Sequence, residues 1–146
     1  MSRALSDLKE PARSRAEEAL AELRRLGVRV SVVSTLRTTE EQQALFAQGR
    51  KDLAEVNRLR AIAGLGTLPE KENRYTVTNA DGIQNRSRHQ SGKALDVVPL
   101  EGGRAVWPPA TDPRWQVIAN VFKARGFAWG GDWKDYPDYP HYQLGS

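Results

Sequence analysis

Ser87-Arg88-His89-Gln90-Ser91-Gly92-Lys93-Ala94-Leu95-Asp96 contains one of only two histidines in the chain. The other, His141, stands three positions after Asp138 in Asp138-Tyr139-Pro140-His141. Zinc accepts imidazole nitrogen and carboxylate oxygen readily, and a hydrolytic zinc site holds three protein ligands and leaves the fourth position to water. His89, Asp96 and His141 are therefore candidate ligands of one catalytic Zn2+, with Asp138 as candidate general base. Each piece alone has a plainer reading. A lone histidine is more often a core or surface residue, and Asp96 by itself could cap a turn at a strand end.

Geometry offers a way for the first two to meet. If Gly92-Lys93 forms a two-residue hairpin turn, position 89 lies opposite position 96, and such cross-strand neighbours are about 5 Å apart. At the second motif, Pro140 biases Tyr139 towards an extended backbone, which places Asp138 on a bend just before the strand carrying His141. A carboxylate there can take a proton from attacking water and deliver it to a leaving amine. Two neutral imidazoles and one carboxylate leave a zinc site net positive, which keeps the ion a strong Lewis acid.

Composition sets the outer bounds. A chain of 146 residues is most simply one domain, 1–146, with enough length for a hydrophobic core and no second domain in its pattern. The 39% apolar and 27% charged residues argue against disorder. The lack of cysteine excludes disulfides and thiolate ligands, so any metal must use nitrogen and oxygen. A net charge of +4 with a pI near 9.6 favours anionic surroundings such as cell-wall polymer or nucleic acid. The first twenty residues lack the apolar core of a signal peptide, and no stretch is long enough to span a bilayer. The expectation is a protein that is cytoplasmic as synthesised.

Outside the motifs the pattern alternates helix and strand. Ala16, Ala19, Leu20, Leu23 and Leu26 recur at helical spacing within 12–26, with Gly27 as a stop. Val28 to Ser34 is rich in β-branched residues and predicts a strand. Thr39 followed by Gln42 resembles a capping box for a helix to Gln48, and residues 52–63 form a further candidate helix. Residues 77–86 predict a loop, a strand leaves the first motif and stops at Pro99, and Asp112-Pro113 opens a helix to Arg125. Residues 127–129 and 141–144 predict short final strands. The sum is an α+β pattern with the candidate ligands late in the chain, on strands or their ends.

Ser87-x-His89-x-x-Gly92-x-Ala94-x-Asp96, followed by Trp129-Gly130-Gly131-Asp132-Trp133 and Asp138-x-x-His141, resembles the D-alanyl-D-alanine carboxypeptidase and L-alanyl-D-glutamate endopeptidase family of peptidoglycan-cleaving zinc enzymes. The likeness runs from Ser34-Thr35-Leu36-Arg37-Thr38 to Gln143. It departs from the family pattern at Thr35-Leu36, where Gly-Tyr is usual, and at Tyr142, where Phe is commoner. The resemblance implies a Hedgehog/D,D-peptidase-like fold, in which a small antiparallel sheet flanked by helices carries the zinc site. It implies His89, Asp96 and His141 as ligands, Asp138 as base, and Arg37 as the residue that stabilises the oxyanion. Ser87 is implied to orient substrate or a ligand, and Gln43 to match the family's R-x-x-x-x-Q stretch. Trp133, with Tyr136 and Tyr139, is a candidate wall of a substrate groove, whereas Trp129 reads as core. The duplicated Asp-Tyr-Pro leaves Asp135 as a second candidate base, with Asp138 at the right spacing.

Family members that cut L-alanyl-D-glutamate, many phage endolysins among them, resemble this chain in using Asp in the D-x-x-H motif. The expected partner is the peptidoglycan stem peptide, met as a monomer without membrane insertion, with a holin giving passage to the wall. A D-alanyl-D-alanine carboxypeptidase is the alternative, and a catalytically silent zinc-stabilised wall-binding module is another. A nucleic-acid binder would draw on Arg24-Arg25, Arg58 and Arg60, but these sit among acids at helical spacing and read as a solvated face.

Overall fold

In the computed structural model, which describes residues 1–145, the elements in chain order are α1 (Ala12–Arg25), β1 (Val30–Ser34), α2 (Thr39–Ala47), α3 (Leu53–Ile62), β2 (Ala94–Glu101), β3 (Arg104–Ala105), α4 (Pro113–Lys123), β4 (Ala128–Trp129) and β5 (His141–Gln143). They divide into two compact units. One comprises residue 1 and Arg37–Ser91; the other comprises Ser2–Leu36 and the chain from Gly92 onward.

The second unit is built on β2. The sheet runs β1-β2-β5-β4, every pairing is antiparallel, and β3 folds back on the far end of β2 after Gly102-Gly103. A central strand covered on both faces is apolar without alternation, and Ala94, Leu95, Val97 and Val98 are all fully buried. Asp96 is the only acid in that run. The strand does not stop at Pro99 as its sequence suggests. Pro99 is paired with Val30, and its carbonyl still accepts from the Val106 N–H at 2.9 Å, so the missing donor leaves β2 unbroken.

α1 and α4 supply the rest of that core. α1 buries Ala16, Ala19 and Leu23 of the predicted stripe, and Ala12 one turn before it. Leu26 belongs to the stripe by spacing, yet it is the C-cap residue and is exposed. α4 begins as expected, with Asp112 accepting from the Arg114 N–H and Pro113 in the first turn, and buries Trp115, Ile118, Ala119 and Phe122. It ends at Lys123, short of Arg125. Phe122 stacks on Tyr142 of β5 with ring centroids 4.3 Å apart.

The first unit has its own smaller apolar cluster, Ala47, Val56 and Leu68 with Leu53 and Leu59 against it. The capping box of α2 lies one residue before its expected place: Thr38 accepts from the Glu41 N–H at 3.1 Å, and the Glu41 carboxylate accepts from the Thr38 N–H at 2.8 Å. Thr38-Thr39-Glu40-Glu41-Gln42 contains both registers. The extended Thr38 backbone selects the first, and the Gln42 amide is committed elsewhere. Asp52 caps α3 by accepting from the Glu55 N–H. Thr38→Ala removes half of the box and should cost about 1 kcal/mol. The urea midpoint should fall with an unchanged slope; an unmoved midpoint would show that the box contributes nothing.

Candidate metal centre

Asp96 of β2 and His141 of β5 are direct cross-strand partners, and Ser34 of β1 faces Asp96 from the other side. The pairing sets His141 Nδ1 3.3 Å from Asp96 Oδ1, with His141 only 5% exposed. On the same face two residues further along β5, Gln143 places its amide oxygen 2.8 Å from His141 Nε2. That oxygen can only accept. In the neutral ring it therefore fixes the proton on Nε2 and turns the Nδ1 lone pair towards Asp96. The Trp133 ring lies 5.1 Å from the imidazole. Burial works against a charged His141, but hydrogen bonding and charge from Asp96, the Gln143 contact and the Asp138 charge outweigh it and raise the pKa above the usual imidazole value.

Asp138 is held by its backbone. Its N–H donates to the Gly130 carbonyl at 2.9 Å, and its own carbonyl accepts from the His141 N–H at 3.2 Å, so Asp-x-x-His is a closed turn. Gly130 lies so close beneath that turn that a Cβ on it would stand 2.3 Å from the Asp138 carbonyl oxygen and 3.1 Å from both the Asp138 and His141 Cβ atoms. The glycine in Trp-Gly-Gly-Asp-Trp is thus required by close approach. Trp129 before it is buried, and its indole N–H donates to the Tyr139 carbonyl at 2.7 Å, in keeping with a core role.

In the other unit His89 sits on a short 3-10 turn, Arg88–Ser91, and is 1% exposed. The predicted hairpin is corrected here: Asp96 has Ser34 and His141 as strand partners, and His89 is not on a strand. Gly92 has φ +72°, and its carbonyl accepts from the Lys9 N–H, which takes it out of a two-residue hairpin. Ser87 holds the turn instead. Its hydroxyl accepts from the His89 N–H at 3.2 Å, and its N–H donates to Gln90 Oε1 at 2.8 Å. The Arg37 N–H donates to the His89 carbonyl at 3.0 Å.

The Arg37 guanidinium donates to Gln42 Oε1 at 3.2 Å, and the fully buried Gln42 amide donates in turn to the Ala80 carbonyl and Thr78 Oγ1. Gln42, not Gln43, is the residue five positions after Arg37 that reaches it. Gln43 is half-buried on α2 beside Phe46, Arg50 and Ile83, where these side chains line a shallow depression.

The candidate ligand atoms of His89, Asp96 and His141 all lie within 4.8 Å of one another, the one such His, Cys, Asp or Glu group among the described residues. Two imidazole nitrogens and a carboxylate oxygen form a donor set that suits zinc. Sequence reasoning missed two supporting residues, Gln42 and Gln143. The signal for Gln143 was present, since side chains two apart on a strand share a face.

Gln143→Met removes the acceptor at Nε2 while keeping the side chain's length. Metal affinity, measured by competition with a chelator, should fall about 10- to 100-fold. Wild-type affinity in the variant would show that Gln143 does not orient the ring.

Residues 81–144 match the family model described as D-alanyl-D-alanine carboxypeptidase. The chain is 27% identical over 146 residues to the peptidoglycan L-alanyl-D-glutamate endopeptidase CwlK of Bacillus subtilis, covering 95% of this chain and 74% of that protein. It is 35% identical over 79 residues to an L-alanyl-D-glutamate peptidase of a Listeria phage, covering 53% of this chain and 28% of that one. Among solved structures, the L-Ala D-Glu endopeptidase ChiX of Serratia marcescens superposes with a TM-score of 0.59 at 24% identity, over 97% of this chain and 83% of that one. The vancomycin-resistance D,D-pentapeptidase VanY, solved with Zn(II), superposes with a TM-score of 0.59 at 17% identity, over 94% and 72%. These likenesses join the motif that carries His89 and Asp96 to the one that ends in His141, and over that stretch the chain is similar to D-alanyl-D-alanine carboxypeptidases and L-alanyl-D-glutamate endopeptidases.

Proposed function

We propose that this chain is a zinc-dependent peptidoglycan hydrolase that cleaves the L-alanyl-D-glutamate bond of stem peptides. The observation that carries the reading is the convergence of the ligand atoms of His89, Asp96 and His141, with Asp138 hydrogen-bonded to the backbone of the third. His89, Asp96 and His141 would hold the ion. When bound, zinc supplies a Lewis acid that polarises the scissile carbonyl and acidifies water.

The protein's own groups then handle the proton and the charge. As water adds to the carbonyl carbon, Asp138 takes its proton; when the C–N bond breaks, Asp138 returns that proton to the leaving amine nitrogen. The Arg37 guanidinium, with its fixed donors, stabilises the negative charge on the carbonyl oxygen. Ser87 orients the His89 turn, and Trp133, packed beside the His141 ring, contacts substrate.

The endopeptidase assignment is supported by the names of the Bacillus and Listeria phage relatives. The description of the matching family model favours D-alanyl-D-alanine carboxypeptidase as the second reading. Arg37 and Asp138 are both present, which weighs against a silent binding module. No helix among the described residues is long and apolar enough to cross a membrane. Action on the wall by an endolysin-like monomer fits the basic charge.

Incubation with peptidoglycan, followed by mass spectrometry of the new termini, tests the bond. Fragments cut between L-alanine and D-glutamate, lost with chelator and restored by zinc, are expected; released terminal D-alanine would replace the endopeptidase with the carboxypeptidase. Asp138→Ala should lower turnover about 10²- to 10⁴-fold with metal retained, whereas His89→Ala should lose both metal and turnover. Near-normal turnover in Asp138→Ala would refute the assigned base. Arg37→Ala should lower kcat about 10²-fold with metal content unchanged, and an unchanged kcat would return Arg37 to a structural role.

A further inference from the structure

The loop from Trp133 to Asp138 contains a conformation that its own residue does not favour. Tyr136 is the one non-glycine residue with positive φ, +55°, among the described residues. Left-handed backbone crowds an L side chain's Cβ, and glycine occupies it without that cost. Pro137 follows, and a proline restricts the residue before it to extended conformations. Tyr136 is therefore disfavoured twice over.

The loop is closed tightly enough to enforce this geometry. The Trp133 and Asp138 N–H groups both donate to one acceptor, the Gly130 carbonyl, at 3.2 and 2.9 Å. The chain must leave and return to a single oxygen within six residues. That closure explains why a left-handed residue is needed; it does not explain a tyrosine, since glycine would meet the same need. Nor does the ring serve the core, because Tyr136 is 77% exposed. The neighbours of the loop locate its use. Trp133 at one end packs on the His141 ring, and Asp138 at the other end is two residues from Tyr136, a reach of about 7 Å along the chain.

We infer that Tyr136 is a substrate-contact residue of this site, its ring presented by the strained loop to the stem-peptide residue next to the scissile bond. The inference rests on the function proposed above. The reach from Asp138 limits the contact to one or two residues around the bond being cut, which selects the peptide over the more distant glycan. A flat, exposed aromatic face suits an amino-acid side chain or peptide plane, and a ring carried on a short, doubly anchored loop loses little freedom on binding.

The test compares Tyr136→Gly and Tyr136→Phe with the wild type in the full chain, loaded with zinc, on free stem peptide and on intact peptidoglycan. Tyr136→Gly relieves the backbone, so its melting temperature should rise by about 2–4 °C, and metal content should be unchanged. Against that gain, kcat/KM should fall about tenfold on both substrates, mainly through KM, as expected for loss of an aromatic contact. Tyr136→Phe, which keeps the ring, should recover most of that loss on both substrates. Wild-type kcat/KM in Tyr136→Gly would overturn the inference and make Tyr136 a turn residue only. A loss confined to intact peptidoglycan would overturn the stem-peptide assignment in favour of glycan. Absence of cleavage by the wild type would overturn the functional reading and this inference with it, whereas an active wild type matched by Tyr136→Gly overturns this inference alone.

Discussion

The pairing of Asp96 with His141 across β2 and β5 is the constraint on which the second unit's share of the site depends. Side chains alternate along a strand, so a register slip of one residue would move His141 and Gln143 to the opposite face and bring Tyr142 to the site. Tyr142 prevents the slip. It lies between the two, fully buried on the other face, stacked on Phe122 of α4, and burial pushes its phenol pKa well up. Leu95, directly opposite Tyr142, is also fully buried. The apolar half of β5 thus fixes the polar half. Fully burying one such ring is worth about 1.5–3 kcal/mol, whereas a buried pair such as Asp96–His141 returns much of its attraction as desolvation cost, so packing rather than that attraction sets the register.

The same logic extends to the turn that carries Asp138. A short loop leaves backbone groups without ladder partners, and buried ones must be satisfied locally. Here the Gly130 carbonyl takes two N–H groups, the Asp138 carbonyl takes the His141 N–H, and the Pro140 carbonyl takes the Val97 N–H. The last of these ties the turn to β2 one residue past Asp96. Asp138, His141 and Asp96 are therefore connected through main chain as well as side chains. The absence of a Cβ at position 130 is what permits that approach.

Much of this was legible in the sequence. The helix around Ala16 followed from apolar spacing and the helix around Ile118 from Asp112-Pro113 at its start, because both are local properties. The Asp138 turn was anticipated from Pro140. What was not legible was set by tertiary competition. The His89 segment offered a hairpin by spacing, but its polar groups are claimed by Ser87 and Arg37, and the carbonyl of Gly92 by Lys9. The α2 cap shifted by one residue because Gln42 is drawn to Arg37, Thr78 and Ala80. Ala80 lies 38 positions from Gln42 in sequence, beyond what local propensity reports. Gln143 lies outside the Asp-x-x-His motif, and only strand alternation places it on the face of His141.

The electrostatics of the second unit favour positive charge at His141. An imidazole as buried as His141 should resist protonation, since desolvation penalises its charged form. Its pKa is nevertheless raised, with the carboxylates of Asp96 and Asp138 among the causes that overcome that penalty. Two acids around a buried ring create a field that favours positive charge at Nδ1. A proton satisfies it with a single charge and occupies the lone pair. A divalent ion brings twice the charge, needs the imidazole neutral, and leaves Nε2–H on Gln143 undisturbed. The carboxylates of Asp96 and Asp138 that raise the His141 pKa are thus also the counter-charge that a cation at Nδ1 would need.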